Sequence, residues 1–147
     1  MSDELVKILL FMSRHAPNDG QIELARKIGY EGIKQIDLVF SKDPVKDLKE
    51  KGIKNKTISI VAPSYITNIL LNAGYTLIEF VNSPVKRGKM VFCCEGAYIY
   101  SLKCVTKDYQ GNQWDAFIEQ RYVQCPISIE EQVESSLVPT ESREVSE

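Results

Sequence analysis

A single histidine, His15, serves the whole chain of 147 residues. Zinc-dependent hydrolysis draws on several ligands, and one histidine without paired C-x-x-C elements does not supply them, so no metal is expected. The glycine patterns of nucleotide folds are missing as well. Neither G-x-G-x-x-G after the first apolar run nor G-x-x-x-x-G-K-[ST] occurs, which argues against a dinucleotide cofactor and against a P-loop NTPase. A Ser-His-Asp hydrolase lacks its nucleophile elbow. No apolar run approaches the ~18–20 residues that span a bilayer. The opening Met1-Ser2-Asp3-Glu4 is acidic, unlike the basic start of a signal peptide. Both absences point to a cytoplasmic protein with no membrane partner.

The four cysteines, Cys93, Cys94, Cys104 and Cys125, mostly fall on expected strands. They read as small core residues, not as a disulfide framework. The hydrophobic content of 44% and charged content of 26% are those of a soluble globular chain. Charge is unevenly spread. Six glutamates and one arginine lie in residues 126–147, a local charge of −5 within a total of −2, so residues 1–125 carry +3. The expected organisation is one α/β domain over residues 1–125 and a disordered acidic tail over 126–147. A mildly basic folded part permits an anionic ligand.

Along the chain, residues 5–12 form a nearly continuous apolar run, which suits a strand covered on both faces. A polar loop, 13–17, leads to Asn18, which with Gln21 makes a capping box for a helix over 19–28. A strand over 33–40 follows, then a short polar helix over 45–51 with Asp43 as cap and Pro44 at its first position. Next come a strand over 57–62, a helix over 65–73 capped by Ser64, and a strand over 75–82. The order βαβαβαβ with short connections predicts a Rossmann-like parallel sheet. The pattern then changes: a basic turn over 83–89, a short strand over 90–94, and an antiparallel hairpin over 97–124. A helical turn at 129–137 is the one ordered piece expected in the tail.

Two polar strand ends remain once the other chemistries are set aside: Ser13-Arg14-His15, and Ala62-Pro63-Ser64-Tyr65 with Asn68 a turn later. In a flavodoxin-like strand order strands one and three are neighbours, so both loops share one edge of the sheet, where ligands bind. Each opens a helix whose N-terminus favours an anion. Arg14 offers a bidentate fork to phosphate, and His15 exchanges protons near neutral pH. Ser13, Asn18, Ala62, Pro63, Ser64, Tyr65, Asn68, Lys86 and Arg87 complete the candidate ligand-binding set, with Arg14 and His15 as the candidate catalytic pair. A plainer reading stands beside each. Ser13 and Ser64 cap helices, Tyr65 is a packed aromatic, and Lys86-Arg87-Gly88-Lys89 is a solvated turn rather than a flap over an anion. Aromatics such as Tyr98, Tyr100 and Tyr122 serve cross-strand packing rather than base stacking.

An apolar strand, then Ser13-Arg14-His15, then a short helix, resembles the opening of small CRISPR-associated accessory proteins of type III systems (the CARF-like and ring nuclease group). Residues 60–66, then Gly74-Tyr75 and Glu79-Phe80-Val81-Asn82-Ser83-Pro84, are similar to that family's third strand, helix and following strand. Together the two matches cover roughly residues 5–90. The resemblance implies a cyclic oligoadenylate ligand, bound and, in the ring nucleases, cleaved without a metal. A two-fold ring is most simply read by a homodimer, for which the helix over 65–73 and the strand over 75–82 are the candidate faces. A sensor or sponge without turnover, and an adaptor acting through hairpin and tail, are the alternatives.

If Asn18 is the cap, Asn18→Ala costs about 1 kcal/mol in chemical denaturation; an unchanged midpoint refutes the assignment. If the tail is disordered, deleting residues 127–147 leaves the melting temperature unchanged.

Overall fold

β1 (Ile8–Met12) is an inner strand: it pairs in parallel with β2 (Gly32–Ile36) on one side and with β3 (Thr57–Ile60) on the other. The computed structural model describes residues 7–106 and 114–135. The first residues of the expected strand, the hairpin loop over 109–113 and the tail beyond 135 lie outside that description. β3 pairs in parallel with β4 (Thr76–Arg87), which pairs antiparallel with β5 (Lys89–Thr106), and β5 antiparallel with β6 (Trp114–Gln124). The result is one six-stranded mixed sheet in the order β2-β1-β3-β4-β5-β6. The C-terminal hairpin continues this sheet, so the sheet is mixed rather than purely parallel.

Helices cover both faces. α1 (Asp19–Lys27) packs Leu24 and Ala25 with Leu9, Ile78, Ala97 and Val123 on one side. α2 (Pro44–Glu50) and α3 (Ser64–Asn72) pack Leu48, Ile66 and Leu70 with Met12, Ile58, Ile60 and Leu77 on the other. The alternation of Ile58 and Ile60 against Leu9 and Ile78 is the period-two sorting of strand side chains between two faces. No described helix is long and apolar enough to cross a membrane. Cys93, Cys94 and Cys125 are free and buried. Burial raises the Cys93 thiol, and burial with the neighbouring Cys125 pushes Cys94 up to about 12, so both stay protonated core groups near neutral pH.

Capping follows the sequence at α1 and α2 and departs from it at α3. The Asn18 side chain accepts from Gln21 N–H and the Gln21 side chain accepts from Asn18 N–H, both at 2.9 Å. Asp43 accepts from Lys46 N–H at 3.2 Å, with Pro44 at the helix start. α3 begins one residue earlier than expected, with Pro63 as N-cap and no side-chain cap bond. Ser64 is therefore inside the helix and does not cap it.

The expectation for the segment after Asn82 also changes. The stretch over 83–89 is not a loop: β4 runs through Arg87, and the chain turns at Gly88, whose φ of 84° suits a residue without Cβ. β5 carries one extra residue, Glu95, between the partners of Val81 and Asn82, so the outer half of the β4–β5 hairpin bends at a bulge. β4 is an inner strand whose Leu77 and Ile78 are about 1% exposed. The apolar character of this inner stretch is used within the chain, in the two cores on either side of the sheet.

The helical turn expected within residues 126–147 forms. Residues 129–135 are helical (α4), and Val133 packs with Val91 and Cys93 of the outer hairpin. Gln132, 4% exposed, accepts from Cys94 N–H at 2.7 Å and donates to Cys94 C=O at 2.8 Å. It supplies the backbone partners that β6, which ends at Gln124 opposite Gly96, no longer offers to Cys94. Gly20 of α1 lies so close that a Cβ would meet the Gln132 side chain and Cys94 Cβ. Tyr98 and Tyr122 pack across β5 and β6 with ring centroids 5.0 Å apart, as the packing reading expects of this pair.

Gln132→Ala leaves a buried N–H and C=O unpaired and is expected to cost about 1–3 kcal/mol by urea denaturation. Deleting residues 127–147 lowers stability for the same reason, contrary to the reading from composition. Wild-type stability in both variants would show that α4 does not brace the hairpin.

Candidate functional site

The β1–β3 pairing places Met12 beside Ile60, so the two strand ends open side by side. Ser13 fixes the first loop. Its N–H donates to Ile36 C=O at 3.0 Å, its C=O accepts from the Gln35 side chain at 2.9 Å, and its hydroxyl accepts from His15 N–H at 3.0 Å. The hydroxyl thus turns the loop and does not cap α1. Arg14 and His15 stand exposed on this pinned turn. No described side chain bonds to either of theirs.

Three clefts run along this edge. The first, of about 430 Å³, lies over β1 and β3 and joins Ser13, Arg14 and His15 to Ala62, Pro63 and Tyr65. Tyr65 is 61% exposed, so it is a wall of the cleft and not a packed aromatic. The second, of about 480 Å³, lies on the α1 side; it shares Ser13 and His15 with the first and adds Asn18, Asn82, Phe80 and Phe92. The third, of about 390 Å³, lies on the α3 side and holds Ser64 and Asn68 with Glu79, Tyr100 and Gln120.

This geometry divides the residue set expected from sequence. Ser64 and Asn68 face a cleft that contains a carboxylate and lacks Arg14 and His15. Lys86 sits near the hairpin tip and lines none of the three clefts. Arg87 pairs with Lys89 at that tip, and its side chain lies outside the description. Asn18 is occupied by its cap, with its amide donating to Phe92 C=O at 3.2 Å. The N-terminus of α1, expected to be an anion cradle, is closed by this capping box and carries Asp19, which accepts from the Ser135 hydroxyl at 2.8 Å. The N-terminus of α3 is the open one. Ile66 and Thr67 N–H donate to Pro63 C=O, no acidic residue lies in the first turn, and Ser64 and Tyr65 N–H have no partner among the described residues. A positive helix end therefore faces the Arg14–His15 loop across one cleft.

Phe80, Asn82 and Phe92 were missed in the sequence. The alternation of Phe80, Asn82 and Pro84 on β4 carried the signal, hidden by reading 83–89 as a loop. The Glu79–Tyr100 pair was also missed: Tyr100 hydroxyl donates to Glu79 at 3.0 Å. Burial first, then the hydrogen bond and charge of Glu79, push the Tyr100 phenol up to about 12.

No family model, curated protein or solved structure matches the chain. What the fold and site define is an α/β protein with an open cleft at the ends of two neighbouring parallel strands.

The raised Tyr100 value has a consequence for stability. The folded state holds a proton that an unfolded tyrosine releases near 10.0, so this stability is present below that pH and is lost as pH rises toward about 12. Between about pH 9 and about pH 11 the urea midpoint of wild type is expected to fall further than that of Tyr100→Phe; equal falls would show that Tyr100 titrates normally.

Proposed function

We propose that the cleft between the Ser13-Arg14-His15 loop and the start of α3 binds the phosphodiester backbone of a cyclic oligoadenylate. This is the class of ligand implied by the resemblance to type III CRISPR accessory proteins. The observation that carries this reading is the shared cleft itself, in which Arg14, His15, Tyr65 and the uncapped N-terminus of α3 meet. Arg14 gives a planar fork to phosphate oxygens, the free N–H groups of α3 add neutral donors, and Tyr65 gives a ring for a base to stack on. The parallel half of the sheet, read as Rossmann-like, puts the site at its strand ends. In this reading the protein works in the cytoplasm, as a two-fold dimer facing a two-fold ring.

Capture is better supported than turnover. Cleavage through a ribose 2′-hydroxyl needs an oriented base and a stabilised leaving oxygen. His15 is exposed, and no described side chain orients its ring. A sensor or sponge is therefore the first form of the proposal, and a ring nuclease in which the ligand itself orients His15 is the second.

Calorimetry with cyclic tetra- and hexa-adenylate, followed by chromatography of the products, tests both. Binding to one ring is expected, weakened about ten- to hundredfold by Arg14→Ala, the scale of a charge-assisted hydrogen bond. Linear products that vanish in His15→Ala identify the nuclease. Failure to bind either ring overturns the proposal.

A further inference from the structure

We propose that the cleft on the α1 side of the His15 loop is a base pocket, in which Phe92 and Phe80 hold a purine ring and Asn82 reads its edge as adenine. The inference rests on the phosphate-binding reading of the neighbouring cleft, with which this one shares Ser13 and His15. A nucleotide with its phosphate at Arg14 and His15 reaches this cleft without further extension.

The pocket is built by the bulge. Phe80, Asn82 and Pro84 alternate onto one face of β4, and Phe92 lies opposite Pro84 in the register. The extra residue on β5 bends this outer hairpin toward α1, where Asn18 holds it by donating to Phe92 C=O at 3.2 Å. Phe80 is fixed from below by Phe11, with ring centroids 5.7 Å apart at 87°. Phe92 is 60% exposed, while Phe11 in the same cleft is 4% exposed. A large aromatic held open to solvent beside a fixed one is a stacking platform.

The polar lining selects the ring. His15 is the one titratable side chain in this cleft, whereas the α3-side cleft contains Glu79. An uncharged heterocycle fits better here than a cationic amine. The Asn82 carboxamide is exposed: its oxygen accepts a long bond from the Asn18 amide at 3.5 Å and keeps a second lone pair, and its NH2 has no partner among the described residues. It is free to pair with adenine, accepting from the 6-amino group and donating to N7. A 6-keto purine presents two acceptors there and leaves the amide oxygen opposed to an oxygen.

Heteronuclear NMR titration of the full chain with adenosine 5′-monophosphate, inosine 5′-monophosphate and inorganic phosphate tests the assignment. Adenosine monophosphate is expected to move the Asn82 side-chain signals and the amides of Phe80 and Phe92; phosphate is expected to move only residues near 13–15 and 64–65. The adenine nucleotide should bind about tenfold more tightly than the hypoxanthine one. Asn82→Ala should abolish that preference. Phe92→Leu should weaken both nucleotides about tenfold and leave the phosphate response intact. Equal affinity of the two nucleotides for wild type, no binding of either, or an unmoved Asn82 overturns the pocket. Adenine preference in a protein that ignores cyclic oligoadenylates would sink the proposed function and spare the pocket. Ring binding that tolerates hypoxanthine would do the reverse.

Discussion

The parallel pairing of β1 with β3, Phe11 beside Ser59 and Met12 beside Ile60, is the contact on which the site depends. The two loops that follow these strands leave the sheet at neighbouring points because of it. Ser59 is fully buried, and its hydroxyl donates to Ile78 C=O at 2.9 Å, which satisfies a polar group in the middle of the sheet. With the strands held there, a loop pinned by Ser13 and a helix end left open by Pro63 face each other. One is a turn with an arginine, and the other is a helix start with two free N–H groups.

A second constraint is the bulge at Glu95. It leaves Glu95 without a partner on β4, and just beyond it, where β6 has ended at Gln124, Gln132 of α4 satisfies both backbone groups of Cys94. The outer hairpin is thereby fixed over the start of α1, which gives the edge its second cleft. The close approach of Gly20, Cys94 and Gln132 shows how tightly these three elements are fitted. The short helix within the acidic segment is thus tied to the geometry of the edge, although it lies far from the His15 loop in sequence.

Much of the fold was legible in the residues. The apolar run before Ser13 identified a strand buried on both faces, Asn18 with Gln21 fixed the start of α1, and Asp43-Pro44 fixed the start of α2. These signals are local, and local capping chemistry decides them. What failed depends on partners distant in sequence. Residues 83–89 read as a turn because Pro84 and Gly88 usually break strands, yet pairing with 89–93 extends β4 through them. The segment after Pro126 read as disordered apart from a helical turn at 129–137; the turn is there over 129–135, but the packing of Gln132 and Val133 against the bulged hairpin was not legible. For the site, Arg14, His15, Ala62, Pro63 and Tyr65 meet as their strand ends require. Ser64 and Asn68 turn to the other side of α3, because a helix distributes successive side chains around its axis.

The proposed site at the ends of β1 and β3 is one place for one phosphate-bearing ligand. A crystal structure with cyclic tetra-adenylate tests it most directly. The account predicts a phosphate between the Arg14 guanidinium and the Ser64 and Tyr65 N–H groups. A ring seated on the hairpin tip near Lys86, or in the Glu79 cleft, would contradict it.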